Sequence, residues 1–146
     1  KRWRVAHCFL TAQSGPAPMS TLSARPIDGF EPRVREMVFE RQSLSAYGNT
    51  DFTELMNKAS AGALVTGLSA SLTLLATTID AFERGHRLIL ASDALAGARG
   101  YEADASAHEA VACDVARLLG FFVGAADEAP SQTSLLVEIK PEELRE

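Results

Sequence analysis

The sequence has little that would hold a metal, cross-link the chain or anchor it in a bilayer. Its two cysteines and three histidines include no Cys-x-x-Cys pair and no Cys/His set at metal spacing, so no metal site or redox motif is read and no cofactor is expected. Cys8 lies in an apolar, strand-like segment and Cys113 in a helix-like one, which fits two buried thiols in a reducing cytoplasm. Long hydrophobic runs are also lacking. The stretches Ala61 to Val65 and Arg87 to Ala91 fall far short of the ~20 residues that cross a membrane. The opening Lys1-Arg2-Trp3-Arg4 leads into the short apolar segment Val5 to Leu10, too brief for a signal-peptide core. Nor is there a block of one charge. The net charge of −5 comes from acidic and basic residues mixed along the chain, which leaves no footprint for a phosphate backbone. The expectation is a cytoplasmic protein with neither membrane nor nucleic acid as partner.

What is present is an alternation of short apolar runs with longer helical patterns over 146 residues, enough for one domain with a real core. Val5 to Leu10, Met37 to Glu40, Ala63 to Thr66, Leu88 to Ala91 and Phe121 to Val123 read as strands, and the intervening patterns as helices, the arrangement of βαβ units on a parallel sheet. One helix is expected from about Asp51 to Ala59 with Thr50 as N-cap. A stronger one runs from Ser71 to Arg84, with Leu72, Leu75, Ile79 and Phe82 at helical spacing and Gly85 as its stop. A third runs from Ser106 to Leu119 and closes at Gly120. Thr11 to Glu31, with three prolines and no period, reads as a long loop. The C-terminal tail, 131–146, turns polar; from Ser134 a strand and a helical turn starting at Pro141 are expected.

Three segments, in order, carry a family resemblance. The first is Glu36-Met37-Val38-Phe39-Glu40-Arg41, followed by Ser45-Ala46-Tyr47 and Asn49-Thr50-Asp51-Phe52. The second is Ala63-Leu64-Val65-Thr66-Gly67-Leu68-Ser69 through Ala76-Thr77-Thr78-Ile79-Asp80-Ala81. The third is Gly85-His86-Arg87-Leu88-Ile89-Leu90-Ala91-Ser92-Asp93-Ala94, with His108-Glu109-Ala110 beyond it. Together they resemble the isochorismatase-like hydrolases, the cysteine hydrolase family. That resemblance implies a three-layer α/β/α, Rossmann-like fold with a mostly parallel sheet. It also implies a small-molecule site beyond the carboxyl ends of the strands, where Arg41, the turn Leu68-Ser69 to Thr73, and Asp93 would fall. Leu68-Ser69 would be the family's cis peptide bond.

The departures from the family pattern bear on function. Family cysteine hydrolases use an aspartate from the first strand, a lysine and a cysteine nucleophile. Here Arg41 stands at the lysine position and Thr73 at the cysteine position. A threonine hydroxyl needs an adjacent base, and an arginine keeps its proton at neutral pH while still able to grip a carboxylate. The sequence begins at what resembles the second strand, so the aspartate-bearing strand is expected upstream, on a partner chain, or replaced by a rearranged core.

Cys8, near the end of its strand, is a candidate site-lining residue and conceivably a displaced nucleophile. His7 lacks the Asp-x-His pattern of the zinc-dependent branch, while Asp93 and His108 read as loop-orienting groups. Glu36 and Glu40 read as solvated or loop-anchoring carboxylates. The resulting expectation is a family member that has lost the Asp/Lys/Cys mechanism and persists as a non-catalytic or regulatory subunit with a small-molecule pocket, its ligand bearing a carboxylate. The alternative is an active hydrolase of amide, carbamoyl or isochorismate-type compounds that uses a missing or partner-supplied aspartate. A homo-oligomer is expected, because the family usually assembles and an open sheet is a liability.

Overall fold

The computed structural model describes residues 4–10, 29, 31–59, 62–68, 72–96, 105–130 and 135–140. In chain order these form β1 (Arg4–Leu10), β2 (Met37–Arg41), α1 (Thr50–Lys58), β3 (Ala63–Leu68), α2 (Leu72–Glu83), β4 (Leu88–Ala96), α3 (Ala105–Leu118), β5 (Phe122–Gly124) and β6 (Leu135–Lys140), with 3₁₀ turns at Ala46–Gly48 and Ala126–Glu128. The expected strands and helices are present, with ends moved by one to five residues. Most of the Thr11 to Glu31 loop, and the helical turn expected after Pro141, lie outside the described residues.

The helix ends follow from local chemistry. Asn49, not Thr50, caps α1: its side-chain oxygen accepts from the Phe52 amide at 3.0 Å. The cap thus sits one residue earlier than expected, leaving Thr50 in the first turn. Asp51 in that turn and Lys58 in the last complement the helix dipole. α2 and α3 stop in the same way. Gly85 and Gly120 take positive φ values of 70° and 82°, and the amides just beyond them, His86 and Phe121, donate back to the carbonyls of Ala81 and Ala116. Only a residue without Cβ takes that left-handed turn cheaply.

The six strands form one parallel sheet in the order β2-β1-β6-β3-β4-β5. β3 is interior, as expected. The slot between β1 and β3 is filled by β6, which follows every other strand in the chain. Arg4 to Phe9 pair in register with Leu135 to Lys140 on one side, and Ala63 to Gly67 pair with Leu135 to Ile139 on the other. The ladder groups of β1 and β3 that would have cost ~1–3 kcal/mol each if buried unpaired are thereby satisfied.

Alternation along the strands sends Ala6, Cys8, Ala63, Val65, Leu88, Leu90 and Val137 to one face. There they pack against Phe52, Leu55 and Met56 of α1, Leu74 and Ala81 of α2, and Ala112, Cys113 and Ala116 of α3. Burying Leu74 contributes about 2 kcal/mol, so Leu74→Asp would break this layer. Leu64, Ile89 and Ala91 on the opposite face meet Ala126 and Ala129. No helix among the described residues is long and apolar enough to cross a membrane.

Candidate functional site

The carboxyl ends of β1, β2, β6 and β3 lie side by side, and α2 begins just beyond them. Arg41 is the last residue of β2 and Leu68 the last of β3, while Thr73 is the second residue of α2. Cys8 sits two residues before the end of β1. These expected site residues therefore gather at one edge of the molecule. The Leu68–Ser69 peptide bond involves a residue outside those described, and no cis bond occurs among the described residues.

Arg41 is almost fully buried. Its Nη1 donates to the carbonyls of Ser43 and of Leu44, the latter at 2.6 Å, so the guanidinium organises the turn that follows its own strand. The turn is tight. Ser43 Oγ donates to the Ser45 carbonyl at 2.8 Å, Ser45 Oγ accepts from the Tyr47 amide at 3.2 Å, and a Cβ at Gly48 would come within 1.8 Å of Ser43 Oγ. Glycine is required there by space. The turn is then fastened to α2: the Ala46 amide donates to Thr77 Oγ1 at 3.0 Å, and that hydroxyl donates to the Thr73 carbonyl at 2.7 Å. Arg41 and Thr73 are thus held in one hydrogen-bonded unit.

Thr73 is itself buried. Cys8 is wholly buried, and burial pushes its thiol up to about 12, with the nearby Arg41 charge opposing that only in part. At neutral pH its thiolate fraction is on the order of one in 10⁵. A protonated, enclosed thiol is a packing group, not a nucleophile. Cys113 is also buried and its thiol raised by burial.

The strand in the central slot reads Leu135-Leu136-Val137-Glu138-Ile139-Lys140. In register, Ile139 lies between Cys8 and Gly67, and Glu138 between His7 and Thr66.

The remaining expected residues stand apart. Asp93 lies on β4 where its pairing with β3 jumps, Val65 opposing Leu90 while Gly67 opposes Leu95. Such a bulge re-aims the strand, and the exposed Asp93 carboxylate accepts from the Ala126 amide at 2.8 Å. His7 is buried on the opposite face, its Nε2 2.8 Å from Glu36 Oε2. Glu36 also accepts from the Arg33 amide at 2.8 Å; that bond first, and His7 second, hold its carboxyl below the ordinary range. Glu40 contributes its carbonyl, which accepts from Asn49 Nδ2 at 2.7 Å. His108 lies on α3. Among the described residues no three His, Cys, Asp or Glu side chains gather where a metal could sit.

One constellation was not expected. Tyr47 Oη lies 2.8 Å from His86 Nδ1, and His86 Nε2 lies 2.9 Å from Asn57 Oδ1. The amide oxygen only accepts, so Nε2 carries the proton, Nδ1 is the acceptor and the phenol donates. Arg84 lies over the Tyr47 ring at 5.1 Å. Burial drives the Tyr47 phenol upward and the His86 imidazole downward. Both residues belong to the segments that carry the resemblance, but 39 positions separate them in the chain, and no local spacing signals the contact.

No curated protein sequence matches the chain. Among solved structures, an isochorismatase-like hydrolase from Alkaliphilus metalliredigens matches with a TM-score of 0.69 over 86% of this chain and 69% of that one, at 15% identity, a likeness of fold. N-carbamoylsarcosine amidase from Thermoplasma acidophilum matches with a TM-score of 0.55 and 25% identity over 74% of this chain and 58% of the other. The isochorismatase domain family matches residues 4–118, a span that holds β1 through α3 and leaves out the strand that completes the centre of the sheet. With that match covering most of its length, the chain belongs to the isochorismatase family.

Proposed function

We propose that this chain is an isochorismatase-family protein without the family's Asp/Lys/Cys hydrolytic mechanism, acting as a non-catalytic or regulatory subunit that keeps a small-molecule site. The observation that carries this reading is the central strand. The slot between β1 and β3, in the middle of the sheet, holds Leu135–Lys140, with Ile139 in register with Cys8. The other two positions agree with it. Thr73 is a buried hydroxyl whose carbonyl is tied to Thr77, and Arg41 is a permanent cation whose donors serve the adjacent turn. The ligand such a site suits is a small carboxylate drawn to the cationic end of β2.

The test is turnover of nicotinamide, carbamoyl and isochorismate substrates by the full chain. No hydrolysis above background is expected, Thr73→Ala should change nothing but stability, and Thr73→Cys should not restore activity, because groups that act as a unit are not rescued singly. Hydrolysis that disappears in Thr73→Ala overturns the proposal.

One observation favours a second reading, an active hydrolase of amide, carbamoyl or isochorismate-type compounds: the central strand β6 includes an acidic residue, Glu138. In that case turnover would be measurable and would vanish in Glu138→Gln.

A further inference from the structure

β2 lies at one edge of the sheet, and the residues leading into it make a tight turn. From Arg33 to Glu36 the chain reverses, the Glu36 amide donating to the Arg33 carbonyl at 2.9 Å. The third residue of this turn, Arg35, takes a φ of 88°, the left-handed conformation for which a type II turn ordinarily supplies glycine. A side chain makes that conformation costly, whereas glycine adopts it freely. The closure of the turn uses backbone groups and Glu36, so it does not require the Arg35 side chain. Strained residues of this kind cluster where a protein binds or switches.

The turn is held from the core. Glu36 Oε2 accepts from the Arg33 amide at 2.8 Å and lies 2.8 Å from Nε2 of the buried His7. The carboxylate here only accepts, so the imidazole donates through Nε2. The backbone of the turn is therefore fixed before any partner arrives, which lowers the ordering cost of binding.

What the turn displays is basic and apolar at once. Val34 at its tip is 95% exposed and stands between Arg33 and Arg35, both exposed. Continued two residues back from the Ala6–Met37 pair, the register of β1 and β2 sets Arg4 opposite Arg35. Arg4 is exposed as well, and its Nη2 lies 3.8 Å from Met37 Sδ, a weak acceptor that leaves the charge uncompensated. None of these three arginines has an ion pair among the described residues. The nearby carboxylates are engaged elsewhere: Glu36 as above, and Glu31 by the Gly29 amide at 2.9 Å.

This chemistry selects an occupant. Guanidinium forks on either side of an apolar side chain suit carboxylates on either side of an apolar residue, each gripped through paired N–H groups. A long polyanion would have to approach a chain of net charge −5, and that repulsion grows with the ligand's own charge. A short acidic peptide meets mainly the local patch, the rest being screened beyond about 10 Å. We propose that the Arg33-Val34-Arg35 turn, together with Arg4, is a docking point for an acidic segment of a partner protein, one carrying carboxylates around an apolar side chain.

Fluorescence anisotropy of a labelled octapeptide alternating glutamate and leucine, titrated with the full chain, tests this. Saturable binding with a Kd of about 100 µM is expected at low ionic strength, and it should be lost in about 1 M salt. Arg35→Gly separates binding from folding: glycine fits a φ of 88°, so the thermal midpoint should hold while affinity falls about tenfold. Arg33→Gln, which keeps the amide that Glu36 holds, should weaken binding to a similar degree. Arg117→Gln, on the helix that packs at the β4 and β5 side of the sheet, should leave it unchanged. An absence of saturation at about 1 mM chain overturns the proposal. So does affinity retained in both turn variants, or a single-stranded oligodeoxynucleotide that binds more tightly than the peptide.

Discussion

The two ends of the sheet handle buried polarity differently. At the carboxyl end a cation, Arg41, is enclosed with backbone carbonyls of Ser43 and Leu44 as acceptors and a protonated thiol, Cys8, nearby. Towards the amino end, where α2 runs out before β4, a neutral chain of side chains links Tyr47, His86 and Asn57. The first arrangement cannot change its charge near neutral pH; the second contains the ring that can. The Tyr47–His86–Asn57 network ties α1 to the end of α2 at the end of the sheet away from Arg41. The comparison teaches that a buried cation can be tied into structure through its own turn, because two backbone carbonyls accept from one of its nitrogens.

The largest effect should come from the carboxyl end. Arg41→Met leaves Cys8 without its neighbouring charge, removes the donor to the Ser43 and Leu44 carbonyls and loosens the turn fastened to Thr77, so a loss of about 3 kcal/mol is expected, read as a lower urea midpoint. A loss below about 1 kcal/mol would mean that the guanidinium does not hold the turn.

A smaller effect is expected at the amino end. Tyr47→Phe deletes the hydroxyl that donates to His86 and should cost about 1 kcal/mol. The same network sets a pH dependence. Burial first, and Arg84 second, hold the folded His86 below its ordinary value, so the unfolded chain takes up the proton more readily. Its contribution to stability is complete above the unfolded value of about 6.5 and falls as pH drops through the folded value. Urea midpoints compared between pH 8 and pH 6 should show the decline, and His86→Gln should reduce it. An unchanged slope in that variant would assign the pH dependence to other groups.

The smallest effect has the opposite sign. Thr78 is fully buried on α2, and its hydroxyl has no hydrogen-bond partner among the described residues. Thr78→Val keeps the shape and removes the unpaired oxygen, so a gain of up to about 1 kcal/mol is expected in the same unfolding experiment. A loss would reveal a partner for that hydroxyl.

The candidate site was legible where chemistry is local. Arg41 and Thr73 were located by their places in the ordered segments, and the structure sets both beside the Ser45-Ala46-Tyr47 turn. The links between them run through Thr77, which the sequence gives no reason to single out. The Tyr47–His86–Asn57 chain was hidden for the same reason, since its members lie on three different segments. The α1 cap slipped from Thr50 to Asn49 because both are good cap residues, and the choice rests on which side chain reaches the Phe52 amide.

By itself the sequence determined the strands from Val5 onward, the three helices and their glycine stops, because periodicity and αL turns are properties of a few adjacent residues. Only the tertiary structure decided which strands are neighbours. Leu135–Lys140 reads as a strand in a polar tail, and nothing in its residues announces that it enters the centre of the sheet between β1 and β3. Strand pairing is settled by which backbone ladders close and which hydrophobic rows align across the fold, and those are contacts between residues more than a hundred positions apart.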